Sequence, residues 1–266
     1  MAVGISSYAY RWAVELAGLD AFGLLERSQE AGAEVVQICD NLPLDGLPGK
    51  MLDALAGKAG ELRLVLEVGM KGCEPESLHR NLEVTRRLGA SLLRVVLPEA
   101  RGKPSRDGLV AMLGSLLPEL REWKITLAVE NHFGMLPSEL AGIVTAVGDP
   151  LVGVCLDPVN SVSRLVGPGE TVATLAPLAV SVHAKDVKAV RRNTGFYITG
   201  CPLGEGMVDL PELVAALHRA GRSPNFLVEA WMDRLENDAS TLSQEDVWTR
   251  HGIRYMKDLL ASRGSD

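Results

Sequence analysis

Few residues in this chain are aromatic or sulfur-bearing, and no stretch is strongly basic. Aromatic residues are 5% of the sequence, with four each of Trp, Tyr and Phe. The four cysteines, Cys39, Cys73, Cys155 and Cys201, have no C-x-x-C spacing, which excludes a zinc knuckle and a redox dithiol. Cys39 and Cys155 lie inside apolar runs and read as small core residues in a reduced, cytoplasmic protein. Lys and Arg number 27 against 34 Asp and Glu, a formal charge of −7 that argues against a nucleic-acid-binding face. No apolar run approaches the roughly 20 residues that a membrane span needs. The opening M-A-V-G-I-S-S-Y-A-Y lacks the basic region and apolar core of a signal peptide. Low-complexity segments, composition shifts and Pro/Gly/Ser linkers are also missing, so one domain over residues 1–266 is expected.

What the chain does have is alternation. Strand-like apolar runs occur at 3–8, 34–40, 62–68, 92–97, 124–133, 151–157, 179–186 and 225–231. Helical spacing appears between them, at 19–31, 47–59, 76–88, 108–123, 137–147, 170–178 and 210–220, and again at 244–261. Residues 187–209 read as a long loop. Such connections are too long for hairpins and demand parallel pairing with right-handed crossovers. Eight units averaging about 33 residues (266/8) exceed the usual doubly wound sheet and predict an α/β fold, a (β/α)8 TIM barrel.

Four of the strands end in polar side chains that a buried strand would not ordinarily carry. K-I-T-L-A-V-E-N-H-F at 124–133 offers Glu130, and L-V-G-V-C-L-D at 151–157 offers Asp157. A-V-S-V-H-A-K-D at 179–186 offers His183, and N-F-L-V-E-A-W at 225–231 offers Glu229. In a barrel the C-terminal strand ends form the functional mouth, so side chains from the last four strands can converge. Three carboxylates and one imidazole suit a moderately hard divalent cation, Mn²⁺ first, with Mg²⁺, Co²⁺ or Zn²⁺ as alternatives. An ion so held would have room for two adjacent oxygens of a hydroxy ketone and would stabilise its enediolate. Glu130 and Glu229 then become the candidate base and acid.

Other residues near these ends have two readings each. Lys185 either binds substrate or supports the ligands, as does Asp186. Arg192, in the Arg191-Arg192 pair, either meets an anionic end of the substrate or is a solvated loop residue. His132 contacts substrate or makes a structural hydrogen bond. Glu67 orients a hydroxyl or a neighbouring side chain. Phe196, Tyr197 and Trp231 are candidates for a pocket wall. Gly204-Glu205-Gly206 lacks the Lys-Ser/Thr of a phosphate loop and reads as a tight turn.

The segments V-E-N-H at 129–132, C-L-D-P-V-N-S at 155–161, V-H-A-K-D at 182–186, P-L-G-E-G at 202–206 and L-V-E-A-W at 227–231 resemble the sugar-phosphate isomerase/epimerase family of the xylose-isomerase-like TIM barrel superfamily. That resemblance implies Glu130, Asp157, His183 and Glu229 as metal ligands, a small-molecule carbohydrate substrate, and pairing into a homodimer or homotetramer. Asn160 stands where ketose epimerases often carry a histidine, and it joins His132, Lys185, Arg192, Glu67 and Trp231 as a substrate-binding candidate. The five histidines are too few, and those at 79, 218 and 251 too helical, for the trinuclear zinc site of DNA-repair relatives. Isomerase or epimerase activity is the first expectation. The segments D-P-V-N-S, H-A-K-D-V-K-A-V-R-R and G-F-Y-I-T-G-C-P-L-G-E-G also resemble a branch linked to sugar-acid breakdown, which implies decarboxylation of a 3-oxo sugar acid such as 3-oxo-isoapionate. A keto-inositol dehydratase and a catalytically silent binding subunit are the remaining alternatives.

Overall fold

The runs V-G-I-S, V-V-Q-I, L-L-R-V-V and V-G-V-C-L are buried at every position, as parallel strands covered on both faces must be. In the computed structural model, which describes residues 1–98 and 104–263, they form a closed parallel barrel. Its strands are β1 (Val3–Ser6), β2 (Val35–Ile38), β3 (Val65–Lys71), β4 (Leu92–Val96), β5 (Thr126–Glu130), β6 (Val152–Leu156) and β7 (Ala179–Ala184). An antiparallel hairpin, β8 (Val187–Arg192) and β9 (Gly195–Gly200), follows before β10 (Asn225–Val228) closes the barrel between β7 and β1. The eight-stranded barrel agrees with the sequence reading. Among the described residues no helix is long and apolar enough to cross a membrane.

Helices α1 (Arg11–Ala17), α2 (Ala21–Glu30), α3 (Gly49–Glu61), α4 (Pro75–Arg87), α5 (Arg106–Ser115), α6 (Leu117–Trp123), α7 (Pro137–Val147), α8 (Pro168–Leu175), α9 (Leu210–Arg219) and α10 (Asp238–Arg263) surround it. Side-chain caps open several of them: Asp20 accepts from the Gly23 N–H at 2.8 Å, and Asp209 from the Glu212 N–H at 2.8 Å. The single helix expected over 108–123 is broken instead into α5 and α6. Pro118 has no N–H to continue the ladder across Leu116. Helix α1 escapes sequence patterning because only Ala13 of its seven residues is buried.

The long loop expected at 187–209 contains the β8–β9 hairpin. Its strands bury almost nothing, so no periodic apolar face marks them in the sequence. What holds the ribbon is local chemistry. Tyr197 and Thr199 donate to the Asp233 carboxylate at 2.9 and 3.1 Å, and Gly200 packs so closely on the Trp231 carbonyl that a Cβ would fall 2.1 Å from its oxygen.

Asp186 ties down the rest of this insertion. Its carboxylate accepts from the backbone N–H groups of Val187 (2.8 Å), Gly204 (3.0 Å), Gly206 (2.9 Å) and Val208 (3.0 Å). A Cβ on Gly206 would lie 2.1 Å from Asp186 Oδ1, so the approach requires glycine. Asp186→Ala should cost about 2–4 kcal/mol, because the buried N–H groups of Val187 and Val208 lose their acceptor. Denaturant unfolding checks this, and a wild-type midpoint would show that the clamp contributes nothing.

Candidate metal centre

Parallel register delivers four side chains to one end of the barrel. Glu130 is the last residue of β5, and Asp157 follows β6 directly. His183 lies near the end of β7, and Glu229 follows β10, where its N–H donates to the Ala184 carbonyl at 3.0 Å. All four are buried. His183 Nδ1 lies 3.3 Å from Glu229 Oε1, 3.7 Å from Glu130 Oε2 and 4.0 Å from Asp157 Oδ2. That nitrogen has no hydrogen-bond partner, although it faces three carboxylates.

The carboxylates are held in place from behind. Asp157 Oδ1 accepts from the N–H groups of Val159 (2.7 Å) and Asn160 (2.9 Å), which leaves Oδ2 toward the centre. Asn131 bridges β5 to β6 by exchanging hydrogen bonds with the Asp157 backbone at 2.7 and 2.8 Å. Asn160 donates to Glu130 Oε1 at 2.8 Å, and Ser6 to Glu229 Oε1 at 2.7 Å.

Two buried cations face this set. Arg94, from the middle of β4, pairs with Glu130 and reaches Asp40 Oδ1 at 2.8 Å. Lys185 lies 2.8 Å from both Asp157 Oδ2 and Glu229 Oε2. Burial alone would lower the pKa of each cation, but the facing carboxylates outweigh it and raise both. Burial likewise pushes Glu229 upward. Lys185 and Arg94, with the His183 ring whenever it carries its second proton, outweigh that and hold it well below the usual carboxylate range. Glu130 is lowered too, chiefly because Arg94, again joined by His183 when the ring is protonated, overcomes its burial.

Four carboxylates, at 40, 130, 157 and 229, against two cations leave the centre with a formal charge of −2. A divalent cation cancels that charge and gives His183 Nδ1 the partner it lacks. One potential ligand atom each from Asp157, His183 and Glu229 lie within 4.8 Å of one another, as do those of Glu130, Cys155 and His183. The residues fit a divalent cation. The mixed oxygen and nitrogen donors favour a moderately hard one.

Above the centre opens a cavity of about 590 Å³, within the size range of small-molecule sites. Glu130, Lys185 and Glu229 are at its base, and Tyr8, Trp12 and Phe133 are among its walls. The Phe133 and Trp231 rings are 5.6 Å apart, and Lys185 Nζ is 4.5 Å from the Trp231 ring centre.

A model of the xylose isomerase-like TIM barrel matches residues 71–259. The chain belongs to the xylose isomerase-like TIM barrel family. Among characterised family relatives, 3-oxo-isoapionate decarboxylase of Pectobacterium atrosepticum is 33% identical over 261 residues, covering 96% of this chain and 95% of that protein. Among solved structures, D-psicose 3-epimerase in the presence of D-fructose superposes with a TM-score of 0.75 at 16% identity, covering 98% of this chain and 99% of that one. A xylose isomerase-like TIM barrel protein from Mycobacterium smegmatis in complex with magnesium gives a TM-score of 0.71 at 17% identity, covering 91% of this chain and 88% of that one. The proteins this chain resembles therefore include a decarboxylase, by sequence, and an epimerase, by fold.

The structure brings His132, Asn160, Lys185 and Trp231 to the cavity with the four strand-end residues, except that Asp157 and His183 lie beneath its lining. It does not bring Glu67 or Arg192 there. Glu67 is buried inside the barrel, bonded to Gln37 (2.9 Å) and Asn225 (3.0 Å), and borders a separate cavity of about 370 Å³. Arg192 lies on the exposed hairpin, with its guanidinium 5.7 Å from the Tyr197 ring centre. Phe196 is 76% exposed and Tyr197 is spent on Asp233, so neither lines the cavity. The sequence reading missed Ser6, Tyr8, Trp12, Asp40 and Arg94. Two of them carried a legible signal: Arg94, a charge in the middle of the apolar run L-L-R-V-V, and Asp40, the carboxylate that ends the run 34–40.

Proposed function

We propose that this chain is a divalent-metal-dependent lyase that removes CO₂ from a 3-oxo sugar acid. The observation that carries the reading is Lys185, a fully charged, buried ammonium at the base of the cavity between Asp157 and Glu229. The end-to-end likeness to a 3-oxo-isoapionate decarboxylase supports it. In such a substrate the bond from C1 to C2 breaks, CO₂ departs, and its electron pair generates an enediolate across C2 and C3. The carbon then takes up a proton. A divalent cation on Glu130, Asp157, His183 and Glu229, with Mn²⁺ our first choice, would polarise the adjacent C2 and C3 oxygens.

No base is needed to start this reaction, because the departing group is CO₂ rather than a proton. That suits Glu130 and Glu229, whose lowered pKa values make them weak bases. Lys185 holds the substrate's developing negative charge, and would return the proton to C2 once a bound cation draws on the Asp157 and Glu229 carboxylates that now hold that proton on the amine. Trp12, Phe133 and Trp231 keep water from the carbanionic carbon, and Asn160 keeps Glu130 oriented. The ligand recognised is a small carbohydrate acid.

An isomerase or epimerase is the second reading. It is favoured by the two ionised carboxylates, Glu130 and Glu229, that flank His183 and would relay a proton on a neutral ketose. CO₂ release from 3-oxo sugar acids, measured beside deuterium uptake from solvent at the α-carbon of ketoses, separates the two. CO₂ release that a chelator abolishes and Mn²⁺ restores is the expected result. Deuterium uptake without CO₂ would replace the first reading with the second.

A further inference from the structure

We propose that Gln37 and Glu67 are positioning residues that lock His183 in the tautomer with its lone pair on Nδ1, facing the carboxylates. The inference rests on the reading of His183 as a cation ligand, and extends it to two buried side chains that touch neither the cavity nor the cation's other ligands.

The lock is a directed chain of hydrogen bonds through the barrel interior. V-V-Q-I and V-L-E-V each place one polar side chain in an otherwise apolar strand, and parallel register sets Gln37 opposite Glu67 on β2 and β3. Gln37 and His183 are both 0% exposed, so no solvent competes for the bond between them, and Glu67, at the edge of the second cavity, is 3% exposed. Asn225 Nδ2 donates to Glu67 Oε1 at 3.0 Å, and Gln37 Nε2 donates to Glu67 Oε2 at 2.9 Å. Both carboxylate oxygens therefore face N–H donors, and neither has an acceptor for a proton of its own. Glu67 in this setting only accepts.

That constraint fixes each later member. With its NH₂ turned to Glu67, Gln37 must present Oε1 to the other side, where His183 Nε2 lies 2.8 Å away. The Cys39 thiol also lies 3.4 Å from this oxygen, a second donor converging on it. An amide oxygen cannot donate, so His183 Nε2 must carry the hydrogen. A neutral imidazole has only one, which leaves Nδ1 unprotonated and aimed at Glu130, Asp157 and Glu229. Nδ1 is the ring atom with no hydrogen-bond partner. Without Glu67, only the weak Cys39 thiol contact orients the Gln37 amide. The flipped amide would favour the opposite tautomer and put a proton where the cation should bind.

Protein stripped with a chelator tests this through Co²⁺ affinity, titrated by visible absorption, and through the imidazole ¹⁵N shifts of ¹⁵N-histidine-labelled metal-free protein in alkaline buffer. Wild type should bind Co²⁺ and show His183 protonated at Nε2. Glu67→Gln, which keeps the shape and lets the Gln37 amide turn, should bind roughly 10–100-fold more weakly and shift His183 toward the Nδ1-protonated form. Gln37→Met, a second variant that removes the acceptor outright, should weaken binding over the same range. A folded variant with both the wild-type tautomer and wild-type affinity would overturn the positioning role and leave the metal reading intact. Wild-type protein that binds no Co²⁺ would overturn the metal reading itself and this inference with it.

Discussion

Glu229→Gln should fold, melt somewhat below the wild-type temperature because the buried pair with Lys185 is lost, and turn over roughly 10²–10⁴-fold more slowly. The fold tolerates the change because glutamine keeps the outline of the side chain and finds partners for both ends. Its amide oxygen can face Lys185, which lies 2.8 Å from Glu229 Oε2. Its NH₂ can face Ser6 Oγ, now 2.7 Å from Oε1, and the lone pair of His183 Nδ1 at 3.3 Å. The second contact is what defeats function. The amide fills the space before Nδ1 with a donor, and the centre loses one of the negative charges that recruit a dication. Cation affinity should fall together with turnover, and saturating Mn²⁺ should recover only part of the rate. Titration of cation binding, kinetics at saturating cation and thermal melting check the three parts. Retained turnover would remove Glu229 from the chemistry.

How much of this was legible beforehand depends on what kind of force places each residue. Burial placed the barrel strands, and burial leaves a periodic trace, so V-V-Q-I and L-V-G-V-C-L could be read as strands from their apolar content. The same trace made Glu130, Asp157, His183 and Glu229 conspicuous, since each interrupts or ends a run that had no other reason to become polar. The hairpin β8–β9 is placed by Asp186, Asp233 and a tight glycine contact, and these leave no period in the sequence. Arg192 was assigned to substrate while its strand was read as a loop. Once the ribbon stands up into solvent, the guanidinium is carried away from the cavity. Tyr8 and Trp12 arrive on the short segment after β1, whose course is set from the far end of the chain. Glu245 accepts the Trp12 and Ala13 N–H groups at 2.6 and 2.9 Å, and Asp246 accepts the Tyr10 hydroxyl at 2.8 Å. Contacts over 230 positions apart cannot be seen in local pattern.

Gln37 and Arg94 belong to a middle case. Each is a polar residue in a buried strand, a signal as clear as that of Glu130, but both lie away from a strand end. A search confined to the barrel mouth passes over them. Their roles follow only from the pairing across the interior: Arg94 with Glu130 and Asp40, and Gln37 with Glu67 and His183.

Removing the charge of Lys185 should do more damage to the metal-free protein than any surface substitution. Lys185→Met keeps the length of the side chain and leaves Asp157 and Glu229 buried without their ammonium. Breaking a buried ion pair from one side costs about 3–5 kcal/mol, because the abandoned charges remain desolvated. The sign of the pH dependence follows from Glu229. Its folded pKa lies below its ordinary value of 4.5, so the stability it lends is present above that pH and lost as the pH falls below it. Lys185 is one cause of that depression. The deficit of Lys185→Met should therefore be full at pH 7 and narrow as the pH drops past about 4.5 and the carboxylates protonate. Added Mn²⁺ acts in the same direction by supplying the missing positive charge, and should raise the melting temperature of the variant more than that of wild type. Turnover does not return with stability. The cation restores the charge but not the proton donor, and the rate should stay roughly 10²–10⁴-fold down even in saturating Mn²⁺. Denaturant unfolding at pH 7 and pH 4, with and without Mn²⁺, separates these effects. A variant as stable as wild type at pH 7 would mean that Lys185 is not what compensates the carboxylates.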